Sequence, residues 1–482
     1  MPTLWSMTNR NPLAPAAVRA AATPPAGHSP RSILAILSLA GFMANLDVFI
    51  VNVAFDDIAA DFHGSSISDV SWVLSAYAII FAALLVPFGR LADKVGRKRM
   101  FQLGMGLFTL ASVACGVAPG LWWLVVFRVL QAAGAAALTP TSLGLLLAAV
   151  PAQKRLHYVR IWSAVAAVAA AAGPVLGGLL VTASWRWVFL VNLPIGVFAI
   201  IAARRRVPDS RDANVTDMPD IIGSVLLTVG VASLALAIVK GGDWGWSDGK
   251  TIGGFVVAAL LLAAFAWRAE HHPVPVIEPD LYRVRSFASA NFAMVTFGLG
   301  MSAYLLITVL WMQNVWHWSV ITTGFAIAPA PAMVPIVTVL AQRLVHKIPA
   351  SVLSAMGCVL FAAGTILTLS RIGARGSHYA GELLPGHLLV GIGIGFTLPT
   401  ILASATHDLP PDRASTGSAV INMARQIGFV LGVSVLVAIL GTPTTYHAAH
   451  TAFVHGWWTI AAVELAAAVA CLGIVKRRST AP

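Results

Sequence analysis

Apolar runs of about twenty residues recur along this chain, and no other feature limits its fold as tightly. A run of that length crosses the hydrocarbon core of a bilayer as a helix. The candidate spans are 33–54, 70–88, 101–119, 121–149, 157–182, 185–203, 219–239, 252–268, 287–312, 319–342, 350–370, 384–405, 416–440 and 456–475. Composition agrees, with 58% hydrophobic and 10% charged residues, where soluble domains carry roughly a quarter charged residues. The expected fold class is an all-α polytopic membrane protein with about 14 transmembrane helices.

An even number of spans returns both termini to one side of the membrane. With a cytoplasmic N-terminus, 24 of the 31 Lys and Arg residues fall on the inner side, five on the outer side, and Arg128 and Arg425 within spans. Such an excess of inner cations fixes orientation. The net charge of +12 is therefore a topology signal, and a nucleic-acid partner is not expected. The expected location is the cell (inner or plasma) membrane, with both termini cytoplasmic. Residues 1–32 read as a disordered tail without a cleavable signal, and 477–482 as a short cytoplasmic tail. Cys115, Cys358 and Cys471 lie singly in apolar runs, which suits buried core residues better than a disulfide framework or metal site.

The inner charge is densest in Gly89-Arg-Leu-Ala-Asp-Lys-Val-Gly-Arg-Lys-Arg99, after the second span. A worn copy follows the tenth span. In Ala341-Gln-Arg-Leu-Val-His-Lys-Ile-Pro349, Arg343 and Lys347 align with Arg90 and Lys94. If two spans are inserted mid-chain, both stretches occupy the same connector of two six-helix halves, a repeat pattern that transporters use. The expected division is a 33–205 bundle, a 206–286 linker with two extra spans, and a 287–476 bundle.

With further motifs in order, the sequence resembles the major facilitator superfamily and, more narrowly, its fourteen-helix drug:proton antiporter branch of multidrug efflux type. Residues 89–99 match the signature loop between helices 2 and 3. Leu46-Asp47-Val-Phe-Ile-Val-Asn52 resembles the helix 1 motif. Arg128-Val-Leu-Gln131 with Gly134 resembles the helix 4 motif, with Ala132 where a glycine is usual. Gly173-Pro174-Val-Leu-Gly177-Gly178 matches the helix 5 antiporter motif, Trp185 to Gly196 the entry to helix 6, and Arg425-Gln426-Ile-Gly428 a helix 13 motif. The resemblance implies the major facilitator fold and a secondary exporter driven by the proton gradient, with no bound cofactor.

Ionisable residues inside spans are costly and mark function by default. Here they are Asp47, Arg128, Arg425 and Glu464. At a rise of 1.5 Å per residue, Asp47 and Arg128 each lie roughly 20 Å from the inner face, so they are expected to meet. Arg128 favours a charged Asp47, whereas burial favours a protonated one. The pair therefore reads as a proton-coupling site, with a static ion pair as the alternative. Glu464, Asn52 and Gln131 are candidates for substrate or a second proton, although Glu464 also fits a solvated crevice without a role. Pro174 removes a helical hydrogen bond and promotes a kink. Gly173, Gly177 and Gly178 let a neighbouring helix approach closely, as an interface between rocking halves requires. Gly89 and Gly96 read as a tight turn. The resemblance implies that Asp93, with Arg97, latches the two halves, Asp93 meeting the N-terminus of helix 13. Arg425 reads as a stabiliser of the inner gate.

Trp311, Trp316 and Trp318 read as interfacial anchors. The histidines lack metal spacing, and no Gly-rich phosphate loop appears, so neither an enzyme nor ATP-driven transport is expected. The leading reading is a proton-driven exporter of lipophilic small molecules such as drugs or antibiotics. A dedicated exporter of one endogenous metabolite is a close alternative, and a non-transporting receptor or scaffold is the rival from another class. The expected partners are substrate, protons and lipid. The residues leave a periplasmic adaptor open.

Overall fold

The apolar runs fold as helices, and every regular element among the described residues is helical. The computed structural model describes residues 29–62, 65–151, 154–210, 220–345, 347–372, 378–407, 409, 414–441 and 446–474. The expected tails lie largely outside these residues, as do Arg211, Arg413, Lys476, Arg477 and Arg478 of the charge count.

The first part of the chain forms α1 (Pro30–Val53), the short α2 (Phe55–Asp61) and α3 (Ile67–Val70), α4 (Trp72–Val95) and α5 (Arg97–Gly116). It continues with α6 (Leu121–Ala149), α7 (Arg155–Val181), the single turn α8 (Trp187–Leu190) and α9 (Asn192–Arg206). Two middle helices follow, α10 (Ile221–Trp244) and α11 (Gly249–His271). The last part has α12 (Pro279–Tyr282), α13 (Arg285–Asn314), α14 (Val320–Ile327), α15 (Pro329–Leu344) and α16 (Ala350–Arg371). It ends with α17 (Tyr379–Glu382), α18 (Leu384–His407), α19 (Ala414–Leu440) and α20 (Tyr446–Leu472).

Twelve of the described helices are long and apolar enough to cross a membrane, against fourteen expected. The two others are α5, which opens on Arg97, Lys98 and Arg99, and α7, whose shorter apolar stretch is Val168–Val181.

Within the first part α5 packs along α6, and α1 along α7; within the last, α16 packs along α18, and α13 along α19. Two of these contacts rely on facing glycines. A Cβ on Gly134 would stand 2.8 Å from the Gly104 carbonyl, and one on Gly393 2.5 Å from that of Gly357. The same small-residue device thus joins α5 to α6 and α16 to α18. α10 lies against α4 and α19, one helix from each part, while α11 packs chiefly on α10. The outer face of α11 presents Ile252, Val256, Leu260 and Trp267, an apolar surface suited to lipid.

The charged connector differs from expectation. Residues 89–95 are helical, because α4 continues to Val95 before the chain turns at Gly96 alone, with φ +119°. A helix can carry Lys and Arg past the apolar core into water, so the end of the core need not end the helix. Only Gly96 serves as the turn glycine. Gly89 instead packs on Pro140 of α6, where a Cβ would be 3.4 Å away.

Basic termini gather at this end of the molecule. Arg97 N–H donates to the Ser210 carbonyl, Lys98 Nζ to that of Arg204, and Arg90 pairs with Glu278 at 2.6 Å. We call this the basic end and the other the far end.

Candidate functional site

Towards the far end of the first bundle, α1 and α6 bring Asp47 and Arg128 together, as their matched depths predict. The two are buried and ion-paired at 2.5 Å. Gln131, one turn along α6, donates to Asp47 Oδ1 and to Ser112 Oγ, both at 2.7 Å, and accepts from Arg128 Nη1 at 2.7 Å. Arg128 Nε donates to the Val73 carbonyl at 3.1 Å, and its guanidinium lies 4.1 Å over the Tyr77 ring. Both carboxylate oxygens and three sides of the guanidinium are thus engaged, which a buried ion pair requires if it is to be tolerated. Gln131, a candidate for substrate contact, positions the pair and does not line the cavity beside it.

That cavity lies between the two bundles. Phe49, Asn52, Tyr77 and Arg128 face it from the first, and Tyr304, His387 and Phe429 from the last. Asn52 is therefore where a substrate-contacting residue belongs.

His387 and Tyr304 are functional candidates that sequence reasoning missed. Pro331 has no N–H, so the Ile327 carbonyl four residues earlier loses its helical donor. His387 Nε2–H donates to that carbonyl at 2.9 Å, since a carbonyl can only accept, and Nδ1 is hydrogen-bonded to Tyr304 OH at 2.9 Å. The proline pair in this stretch of the sequence was the available signal, since it announces an orphaned carbonyl.

The Gly173–Gly178 motif packs in two directions. Gly173 and Gly177 face α1, where Cβ atoms would stand 2.7 Å from Phe49 Cβ and 3.1 Å from the Ile50 carbonyl. Gly178 and Pro174 face α14 of the other bundle. A Cβ on Gly178 would lie 2.8 Å from the Val320 carbonyl, and one on Gly324 2.2 Å from that of Pro174. Nearby, Gln313 Nε2 donates to the Val53 carbonyl at 3.3 Å. The far end is therefore sealed by backbone-to-backbone contact across the two bundles.

Other candidates lie apart from the cavity. Asp93 pairs with Arg97 at 2.6 Å, within its own bundle. Arg425 is mostly buried, and its Nε has no hydrogen-bond partner among the described residues. Glu464 does not face a solvated crevice: it is fully buried, in the notch left by Gly300, with the Cys358 and Cys471 thiols as polar neighbours. Because α20 begins at Tyr446, ten residues before the expected start, Glu464 falls past the helix midpoint towards the basic end. Trp311 is likewise no interfacial anchor; it is 1% exposed and packs on Trp457 and Phe453.

The family model for the Major Facilitator Superfamily matches residues 37–433. The chain belongs to this superfamily. Multidrug resistance protein Stp of Mycobacterium tuberculosis is 34% identical over 402 residues, covering 83% of this chain and 74% of that protein. The methylenomycin A resistance protein of Streptomyces coelicolor is 29% identical over 415 residues, covering 85% and 86%. The fold of this facilitator resembles the crystal structure of a D-xylose-proton symporter, with TM-score 0.67 and 14% identity over 92% of this chain and 98% of that one. Membership makes the chain a multi-pass membrane transporter of small molecules.

Proposed function

We propose that this facilitator is a secondary exporter of lipophilic small molecules, drugs or antibiotics among them, driven by the inward proton gradient. The observation that carries the reading is a buried Asp47–Arg128 pair bordering an apolar cavity between two bundles. Relatives named for multidrug and methylenomycin A resistance support the export of such compounds. A dedicated exporter of one metabolite remains the second reading, supported by 32% identity to a probable actinorhodin transporter of Streptomyces coelicolor over 439 residues, 88% of this chain and 75% of that one.

In this reading α5 and α7 also cross the membrane, since each packs along a spanning neighbour, and the helices number fourteen as six, two and six. The bundles are 33–205 and 287–476, and 206–286 holds the extra pair. The basic end faces the cytoplasm across the inner or plasma membrane. The conformation is closed at the far, outer end. Substrate enters the cavity from the inside while Asp47 is charged and paired. A proton arriving from outside neutralises Asp47 and frees Arg128, which lowers substrate affinity and drives release. The energy comes from the proton gradient, without a bound cofactor. Export of antibiotics and dyes by a host lacking its own pumps, measured with and without an uncoupler, tests the reading. Resistance that survives uncoupling contradicts it.

Two further residues would set the alternation. Asp93, paired with Arg97 here, would meet the N-terminus of α19 when the inner end closes, where helix N-termini favour anions. Asp93→Asn is expected to slow turnover several-fold while substrate binding changes little; transport at the normal rate would refute the latch.

Asp56, outside the spanning helices, accepts a hydrogen bond from Asn314 of the other bundle. Burial, then the neighbouring Asp57, raises its carboxyl to about 6, with the Asn314 bond working against them. Closing the outer end therefore takes up a proton. Closure is fully supported below the ordinary 3.8 and loses that support as pH rises through about 6. Acidifying across this window is expected to increase the outward-closed population, read from spin-label distances. Asp56→Asn should remove that dependence, and an undiminished dependence in the variant would contradict the assignment.

A further inference from the structure

The charge content of the cavity narrows what the exporter carries; this inference rests on the exporter reading above. Of 19 Asp and Glu residues, only Asp47 and Glu464 lie deep within apolar runs, and neither lines the cavity. Asp47 is committed on both oxygens to Arg128 and Gln131. Glu464 is packed against α13 in the notch of Gly300. Among the ionisable groups that do face the cavity, Arg128 is matched by Asp47, and both nitrogens of His387 are hydrogen-bonded to protein groups. A cation entering this space meets no carboxylate, and a buried charge without a partner is strongly disfavoured.

An anion fails for a different reason. A proton on Asp47 leaves Arg128 uncompensated beside the ligand, so an anion would be held more tightly when the proton is bound. Exchange requires the opposite sign of coupling. A neutral ligand meets the requirement: it binds while the pair is formed, and the uncompensated guanidinium then draws water into the apolar cavity, which weakens the hold on an apolar molecule.

Two hydroxyls indicate how such a ligand is read. Ser75 and Tyr77 line the cavity and are each 2% exposed, and their hydroxyls have no hydrogen-bond partner among the described residues. Buried hydroxyls are seldom left unmade, and a ligand carbonyl or hydroxyl would satisfy them. They sit two residues apart on α4, about 200° apart round the helix, so they meet different polar groups of a ligand. We propose that the cavity selects uncharged lipophilic molecules bearing carbonyl or hydroxyl groups, and that Ser75 and Tyr77 recognise them.

The full chain in proteoliposomes tests this with chloramphenicol and progesterone as uncharged probes, tetraphenylphosphonium as a cation and anilinonaphthalene sulfonate as an anion. The uncharged probes are expected to move, and both ions at least about tenfold more slowly. Tyr77→Phe and Ser75→Ala should each raise KM for chloramphenicol roughly threefold to tenfold, the worth of one hydrogen bond, with far smaller changes in kcat. Gln426→Glu, which places a carboxylate in the lining, should admit tetraphenylphosphonium. Ion transport by the unaltered chain as fast as that of the uncharged probes overturns the proposal, as does an unchanged KM in both hydroxyl variants. Movement of no probe at all instead removes the exporter reading beneath it.

Discussion

Asp47→Asn is expected to abolish uphill export, by at least about a hundredfold, the scale on which loss of a proton-transferring group is felt. The substitution keeps the shape of the side chain and can keep the hydrogen bond from Gln131 Nε2 at Oδ1. It removes the titratable proton and the counter-charge of Arg128 together. Removing one partner of a buried pair costs about 3–5 kcal/mol, so misfolding has to be separated from uncoupling. Downhill exchange of labelled substrate separates them: it needs the cavity and the rocking motion but no net proton movement. The expected result is normal membrane abundance, exchange retained and accumulation lost. Accumulation at the normal level would show that Asp47 does not carry the proton.

The second large effect is expected at the far-end seal. Gly324 has the Pro174 carbonyl 2.2 Å and the Gly178 Cα 3.4 Å from where a Cβ would stand. Those are backbone atoms and cannot swing aside as a side-chain end could. Gly324→Ala therefore penalises only the conformation in which α7 and α14 touch. Overpacking of this kind costs about 2 kcal/mol, which shifts the balance between conformations about thirtyfold. The variant should populate the outward-open state and turn over more than about tenfold more slowly. Spin labels on the exposed residues Leu179 and Phe325 would report a longer distance. An unchanged distance with unchanged turnover would mean that this contact does not gate the transporter.

The sequence made the frame and the ion pair legible for definite reasons. Asp47 and Arg128 stand out because charge is scarce inside apolar runs, and their depths matched because helical rise is constant. The Gly173–Gly178 motif gave away close packing, though not that it faces α1 and α14 at once. Other features depended on three-dimensional packing. Gln131 is a polar residue in an apolar run whichever way it points, and only the fold aims it at Asp47. His387 looked like a lone histidine until the proline-freed carbonyl of Ile327 came beside it. Ser75 and Tyr77 are ordinary residues for a buried helix, and their significance lies in the bonds they do not make. The start of α20 was misplaced because His447, His450, Thr451 and His455 make its first turns look like a loop. With the helix starting at Tyr446, Glu464 falls past its midpoint.

The central claim is that substrate and proton move in opposite directions through one site. The most direct measurement is proton movement triggered by substrate, in proteoliposomes holding a pH-sensitive dye and no imposed gradient. Adding chloramphenicol to one side should drive protons towards that side as the drug crosses, and Asp47→Asn should show no such signal. Chloramphenicol crossing through the unaltered protein with no proton counter-movement would contradict the account.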